Sequence, residues 1–411
     1  MIFGVGAQGT AVAMRMNEHP SVDKIIYVDI DERAVNYVAQ RLSKAIGVVM
    51  DADDAKQIKR WAKKADLLVN GLPTRYNKNI LDMAVDVGVD YQDFAAADYL
   101  ADSWSESFEI LYNDYGAKFA KKGKIALVGT GSSPGLICLA TRKAVALLDS
   151  CDSILNLVYE GVDAKRGIPF WFSPANAIAD MCEMAYIVKD GVLLEAEPFT
   201  SKIERVYACI GKKPLRFSNH CHDEPLHYWF NRDSFFKGAK NIAFKYGGVG
   251  MDFSEPLYRS GELSDKAVYI NGKQITPFDI LKDRLPCAPK YDEEIESILQ
   301  EGLRSDFTLM AVEACGKING VDRMVETVIL SPGLAQSYER AGITSEMFVT
   351  GQSAALFTEL LVERKFNEKG VISSDMISDA NIEIIISRAE ELGIEIITRI
   401  KDPESCLNRG E

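Results

Sequence analysis

Six residues near the start of the chain, Gly4-Val5-Gly6-Ala7-Gln8-Gly9, and an acid twenty positions beyond the last of them, Asp29, have the types and spacing to hold a dinucleotide. A G-x-G-x-x-G turn between a first strand and a first helix lets backbone amides approach a pyrophosphate, whose charge the helix N-terminus stabilises. An acidic side chain ending the second strand accepts hydrogen bonds from the adenosine ribose. Glycines at this spacing arise by chance in long chains, so the setting carries the reading. Ile2-Phe3 supplies strand before the turn, Thr10 to Asn17 is helix-compatible behind it, and the apolar run Ile25-Ile26-Tyr27-Val28 leads into Asp29 as a βαβ unit requires. A carboxylate at position 29 welcomes a free 2′-hydroxyl and repels a 2′-phosphate, so NAD is the expected cofactor. Arg33, one helical turn onward and within reach of a phosphate, keeps NADP as the alternative; Ile30 and Asp31 lie between the two, and the direction of the Asp31 side chain stays open.

Hydride transfer to or from a nicotinamide is performed by the cofactor, and the protein must manage one proton on the reacting partner. For an amine, a carboxylate or imidazole accepts that proton and stabilises the cation that follows. Two places in the chain offer such groups. Asp93 lies at a strand end facing the cleft, and His222-Asp223-Glu224 lies in a window that also holds His220 and His227, three of the four histidines of the chain. This window reads as a pocket wall, a solvated loop or a metal site. The metal reading is the weakest, because neighbours one and two apart cannot all face one ion. His19 reads as a helix-terminal surface residue. For substrate contacts, Trp171 offers an aromatic face to an ammonium, with a core role as its alternative, and Arg142 and Arg259 offer guanidinium forks to a carboxylate. Thr130 joins them as a polar group after a strand.

These groups need elements to position them. Strands and helices alternate through the first third of the chain in the order that produces a doubly wound parallel sheet. Ala45 to Met50 reads as a third strand, 65–70 as a fourth, 87–94 as a fifth and 124–129 as a sixth. Ligands of such sheets sit outside the carboxyl ends of the strands. That directs attention to Asp51-Ala52, to Asn70-Gly71-Leu72-Pro73, to Asp93, and to the turn from Gly129 to Gly135, which contains Pro134. Asp51 is placed to meet the adenine amino group, and the Gly71 segment to run beside the cofactor. Beyond Leu136 the strict alternation is lost, and short strands such as 154–159 and 204–208 suggest an α+β domain. The fold class is therefore α/β, a Rossmann-type doubly wound parallel sheet followed by a second α+β domain. The expected boundaries are 1–134 for the dinucleotide-binding domain, 135–345 for the catalytic and dimerisation domain, and 346–411 for a C-terminal segment.

Composition bounds what else the chain can be. With 411 residues, 47% apolar and 26% charged, it is expected to be globular with two domains. No stretch approaches 18 uninterrupted apolar residues and no secretory leader pattern opens the chain, so neither a membrane span nor export is expected and the cytoplasm is the expected location. A formal charge of −13 disfavours nucleic acid. Eight scattered cysteines without a C-x-x-C pair argue against zinc or iron-sulfur sites and against a disulfide framework, and read mostly as buried small hydrophobes. No metal is expected.

Over nearly its whole length the chain resembles the saccharopine dehydrogenase-like oxidoreductases, a family that includes lysine 6-dehydrogenases, carboxynorspermidine dehydrogenases and saccharopine reductases. The resemblance rests on the Gly4 to Gly9 turn, on Asn70-Gly71-Leu72-Pro73, and on Gly129-Thr130-Gly131-Ser132-Ser133-Pro134-Gly135-Leu136, which is similar to the family's glycine-rich turn after the sixth strand. His222-Asp223-Glu224, Val268 to Gly272 leading to Pro277, and Thr350-Gly351-Gln352 leading to Gly370-Val371-Ile372 follow in the family's order. Ser132-Ser133 and the Gln92 of Tyr91-Gln92-Asp93 depart from the usual residues and leave the substrate open. The resemblance implies a Rossmann domain, an α+β catalytic domain that makes homodimer contacts, a C-terminal segment returning toward the first domain, and hydride transfer at a carbon–nitrogen bond of a small amine or amino acid. Two alternatives stand beside a dehydrogenase: an enzyme that reductively joins an aldehyde to an amine, and a non-catalytic nucleotide sensor.

Overall fold

The computed structural model describes residues 1–95, 100–264 and 266–402. Two compact units share the described residues: one holds Met1–Arg142, Leu226–Asn231 and Met347–Ile394, the other Lys143–Pro225, Arg232–Glu346 and Glu395–Asp402. The residues expected as one C-terminal segment are thus divided between them.

The first unit is built on seven parallel strands. The first six are β1 (Ile2–Phe3), β2 (Ile25–Asp29), β3 (Ala45–Val49), β4 (Leu67–Asn70), β5 (Asp90–Asp93) and β6 (Ile125–Val128). Across the sheet they run β6-β5-β4-β1-β2-β3, and Gly370–Ser373 adds a seventh strand beside β6. This is the order of a doubly wound dinucleotide fold with one strand added at the edge. The fifth strand is shorter than the sequence suggested, because helix Asn77–Val87 continues to Val87 and Gly88 closes it in the left-handed conformation at φ 78°. Helix α1 (Ala7–Glu18) packs Val12, Ala13 and Met16 into a core with Ile2, Tyr27, Val35 and, from far along the chain, Ala354 and Ala355. Near that core Arg15 and Arg388 flank the buried Glu359 at 2.6 and 2.8 Å.

The second unit carries a nine-stranded mixed sheet. Its central strand, Ser150–Glu160, pairs in parallel with Asn241–Gly248 and antiparallel with Thr308–Ile318, which continues through Val321–Leu330 to Glu395–Lys401. Strict alternation of strand and helix is absent here, as the sequence indicated. No helix among the described residues is long and apolar enough to cross a membrane. Cys138, Cys151 and Cys221 are buried free thiols, whereas Cys209 and Cys287 are exposed. Cys315 is disulfide-bonded, although the scattered cysteines argued against a disulfide framework.

Candidate nucleotide and proton-transfer sites

The glycine turn of the first unit is shaped by contacts that leave no room for side chains. Gly4 lies at φ +78°, and a Cβ on it would fall 2.6 Å from the carbonyl oxygen of Gly71. A Cβ on Gly9 would lie 1.8 Å from the Gly4 carbonyl oxygen, so α1 can start this close to β1 only with glycine there. Gly6 differs: nothing stands within 4 Å of where its Cβ would be, and as N-cap of α1 it gives the helix no side-chain cap. The start of α1 thus has open space beside Gly6 and no side-chain cap, which suits a pyrophosphate at a helix N-terminus. Ala7 and Gln8 continue this face.

Asp29 closes the turn from the side of β2. Its Oδ2 accepts the Val5 N–H at 2.8 Å and its Oδ1 accepts the Asp31 N–H at 2.9 Å. A carboxylate has about four lone-pair sites, so two remain for a ribose. Ile30 beside it is 70% exposed, and Arg33 and Asp51 are exposed as well. Asp31 caps the helix Glu32–Ala39 by accepting the Arg33 N–H at 2.9 Å, and Asp51 accepts the Asp53 N–H at 2.9 Å. Ala52 is half-buried beside it. After β4, Asn70 is buried and donates to Asn77 Oδ1 at 2.7 Å and to Tyr91 Oη at 3.2 Å, while its own Oδ1 accepts the Leu72 N–H at 3.3 Å. That clamp fixes the turn through Gly71, Leu72 and Pro73 rather than presenting an amide to a ligand. Most residues expected to touch a dinucleotide therefore gather along the carboxyl ends of β1, β2, β3 and β4, with Gly129 and Pro134 beyond β6, and the glycine cradle fits NAD or NADP.

After β5 and β6 the groups turn inward. Asp93 is buried, and its Oδ1 accepts the Gly129 N–H at 2.8 Å. Thr130 donates to the Asp93 carbonyl at 2.6 Å and receives a bond from Gln92 at 2.9 Å. Both residues hold the turn together; Thr130 is fully buried. Pro134 follows Ser133 through a cis peptide and packs against Gly129. Two short π-helical segments, Leu111–Tyr115 and Met347–Gln352, bring Tyr112 and Thr350 to this end of the sheet. Such segments are frequent at functional sites. Thr350 meets Ser132 at 2.7 Å. Tyr112 joins a buried network with His227, Asn231, Ser373 and Asp375, which reading along the sequence missed because its members lie far apart in the chain.

The second unit holds the histidine and carboxylate cluster. His222 stacks on Phe244, with ring centroids 4.1 Å apart and planes 13° from parallel, and its Nδ1 is hydrogen-bonded to the fully buried Glu224 carboxylate. Burial lowers the His222 pKa, but the charge and hydrogen bond of Glu224, with Asp223 and Asp180 nearby, outweigh it and leave the imidazole above its ordinary value. His220, 5.8 Å from His222 between ring centroids, goes the other way: burial first, then the His222 charge, hold it well below. Asp180 joins the cluster from helix Pro174–Cys182, and burial together with Glu183 pushes its carboxyl up to about 7. This arrangement orients one imidazole and tunes it for proton transfer. His227, expected in the same cluster, belongs with the first unit. Among the described residues no group of histidines, cysteines and acids is placed to hold a metal ion.

Three expected substrate contacts meet other partners. Trp171 is 1% exposed, packs with Val162, Ile295 and Leu334, and donates its indole N–H to the Val162 carbonyl at 2.7 Å. Its face is core surface and not a cation platform. Arg142 spends its guanidinium on the Asp375 carbonyl at 2.5 Å and on Asp379 at 2.8 Å. Arg259 pairs with Glu255 one helical turn away at 2.7 Å. Such i,i+4 pairs are ordinary surface features.

Comparison with known proteins adds three findings. Residues 1–127 match the family model described as the saccharopine dehydrogenase NADP binding domain. Carboxyaminopropylagmatine dehydrogenase from Synechocystis sp. is 24% identical over 417 residues, which cover 96% of this chain and 96% of that protein. The solved structure of apo saccharopine dehydrogenase (L-Glu forming) from Saccharomyces cerevisiae shares the fold, with a TM-score of 0.68 at 15% identity, covering 97% of this chain and 99% of that one.

Proposed function

We infer that this saccharopine dehydrogenase-like, NAD(P)-dependent oxidoreductase transfers a hydride at a carbon–nitrogen bond of a small diamine, a basic amino acid or a conjugate of the two. The observation that carries the reading is the Gly4 to Gly9 turn, tied by Asp29 and left open at Gly6, within the residues that match a saccharopine dehydrogenase nucleotide-binding domain. When bound, the cofactor supplies the hydride acceptor or donor. The rest falls to the protein and substrate. In the oxidative direction the substrate carbon loses its hydrogen with the bonding pair, the nitrogen lone pair closes a C=N bond, and the nitrogen's proton passes to a base. Water then adds and divides the imine into a carbonyl compound and an amine. We assign the base to His222, whose ring is held by Glu224, leaving Nε2 as the proton-accepting atom. Asp93 serves by fixing the Gly129 turn.

A second reading has its own support. The Synechocystis relative is named for carboxyaminopropylagmatine, a conjugate of an amine, and this favours the same chemistry run in reverse: an aldehyde and an amine lose water to form an imine, which takes up a hydride and a proton. Homodimer formation, residence in the cytoplasm and a place in lysine or polyamine metabolism belong to the proposal. The test is the near-ultraviolet absorbance of reduced nicotinamide, with NAD or NADP and a panel of lysine, ornithine, diamines and polyamines, then in reverse with aldehyde and amine pairs. Turnover of a single amine supports the dehydrogenase. Turnover with pairs alone supports the joining enzyme, and cofactor binding with no turnover on either panel counts against both.

A further inference from the structure

The buried network at the end of β6 contains an atom with nothing to bond. His227 is fully buried; its Nδ1 lies 2.6 Å from Tyr112 Oη, while its Nε2 has no hydrogen-bond partner. Tyr112 Oη also meets Ser373 Oγ at 2.8 Å. Which hydroxyl donates along this chain sets the imidazole tautomer, and in either tautomer Nε2 is left with an unused lone pair or an unused N–H. Asn231 fixes the far side of the network, bonding Asp375 at 2.9 Å and Ser373 at 3.4 Å. Phe108 seals the ring edge-on at 4.9 Å. An unsatisfied buried polar atom costs about 1–3 kcal/mol, so a fold that keeps it this rigidly has a reason to do so.

The surroundings say where that nitrogen points. A Cβ on Gly129 would come within 3.0 Å of Nε2 and 3.2 Å of Pro134 Cγ, so any side chain at this position would cover the nitrogen. Gly129 is the first residue beyond β6, at φ +63°, with its N–H on Asp93. The dinucleotide groove begins at Asp29, at the end of β2, and crosses β1, β4 and β5 before reaching β6. At about 4.8 Å per strand those four steps span about 19 Å, comparable with an extended dinucleotide whose adenosine rests on β2. The nicotinamide end then arrives over Asp93 and Gly129. Its carboxamide offers both an NH₂ donor and a carbonyl acceptor, so it can satisfy Nε2 in either tautomer.

We propose that His227, held by Tyr112, anchors the nicotinamide end of the cofactor through a hydrogen bond between Nε2 and the carboxamide, with the Gly129–Pro134 turn giving way as the ring seats. This rests on the dinucleotide reading above and assigns a residue to its far end. Calorimetric titration with NADH, NADPH and ADP-ribose, which lacks the nicotinamide, tests it on the whole chain. In His227→Leu the dissociation constant for the preferred reduced cofactor is expected to rise about tenfold, the loss of one net hydrogen bond, while that for ADP-ribose stays within twofold. His227→Gln, which keeps an acceptor oxygen, recovers part of the loss and serves if the leucine variant does not fold. Tyr112→Phe, which removes the partner of Nδ1, falls between the two. An unchanged affinity for reduced cofactor in His227→Leu overturns the proposal, as does an equal loss for reduced cofactor and ADP-ribose. A wild-type protein that binds none of the three overturns the dinucleotide reading itself.

Discussion

Asp29 Oδ2 and the Val5 N–H, 2.8 Å apart, join the end of β2 to the middle of the glycine turn. The carboxylate proposed to choose between two nicotinamide cofactors also holds the glycine turn in shape. Asp29→Asn keeps one oxygen for a backbone amide and removes the charge. NADH affinity should fall about tenfold while NADPH affinity holds or improves, since repulsion of a 2′-phosphate is gone. Asp29→Ala should in addition cost about 2 kcal/mol of stability, because two backbone amides lose a charged acceptor. Paired binding and chemical denaturation curves separate these effects, and an unaltered NADH-to-NADPH preference in Asp29→Asn would remove Asp29 from the ribose site.

Gly9→Ala places a methyl carbon where the Gly4 carbonyl oxygen now stands, 1.8 Å away. Backbone on both sides must shift, and the cradle opens. We expect cofactor affinity to drop by at least about a hundredfold with a clear loss in thermal stability, as large core strains do. Gly6→Ala, with open space around its Cβ, should leave the melting temperature near wild type and still weaken cofactor binding. The contrast between the two glycines is the measurement.

His222 and Glu224 predict a pH profile. Glu224 raises the imidazole pKa, and amine oxidation needs the neutral ring, so kcat/KM should climb as pH rises through a value above 6.5. Removing the carboxylate charge in Glu224→Gln lowers that pKa, and the rising limb should move to lower pH. His222→Asn should cost about 10²–10⁴ in kcat with cofactor affinity preserved. A limb that stays in place in Glu224→Gln would separate this pair from the proton step.

Glu160 predicts how stability follows pH. Burial, followed by the charge of Glu346, raises its carboxyl from 4.5 to about 8, with Tyr246 bonded to it. Between those two values the folded protein holds a proton that the unfolded chain has released. Its contribution to stability is therefore full below about pH 4.5 and lost as pH rises through about 8. Glu160→Gln should flatten that decline in thermal melts recorded across the window, and a decline of unchanged slope would assign it to other groups.

How much of this was legible in the chain depends on distance along it. The six strands that alternate with helices could be read because each is a local pattern of apolar residues, and the glycine turn with Asp29 because both ends lie within one βαβ unit. Trp171 could not be placed, since an aromatic residue looks the same in a core as beside a ligand until Val162 is seen to accept its N–H. Arg142 and Arg259 were hard to read for a related reason: a guanidinium shows its protein partners only when the fold brings up Asp379 or Glu255. The Tyr112 network was beyond reach, because Ser373 and His227 meet it from opposite parts of the sequence. Whether Asp93 faces a cleft or a backbone amide was likewise decided by Gly129, thirty-six residues away.

Gly370–Ser373 pairs with β6 at Ile125 to Val128, and Ala354 and Ala355 pack against α1. During synthesis on the ribosome, then, the nucleotide-binding half emerges first and waits for most of the remaining chain before its sheet and core are complete. Until that strand arrives, β6 presents an open edge, and contacts of such long sequence separation form slowly. The nascent protein should therefore depend on chaperones more than its two-unit layout suggests, and a fragment ending at Arg142 should aggregate where the full chain folds.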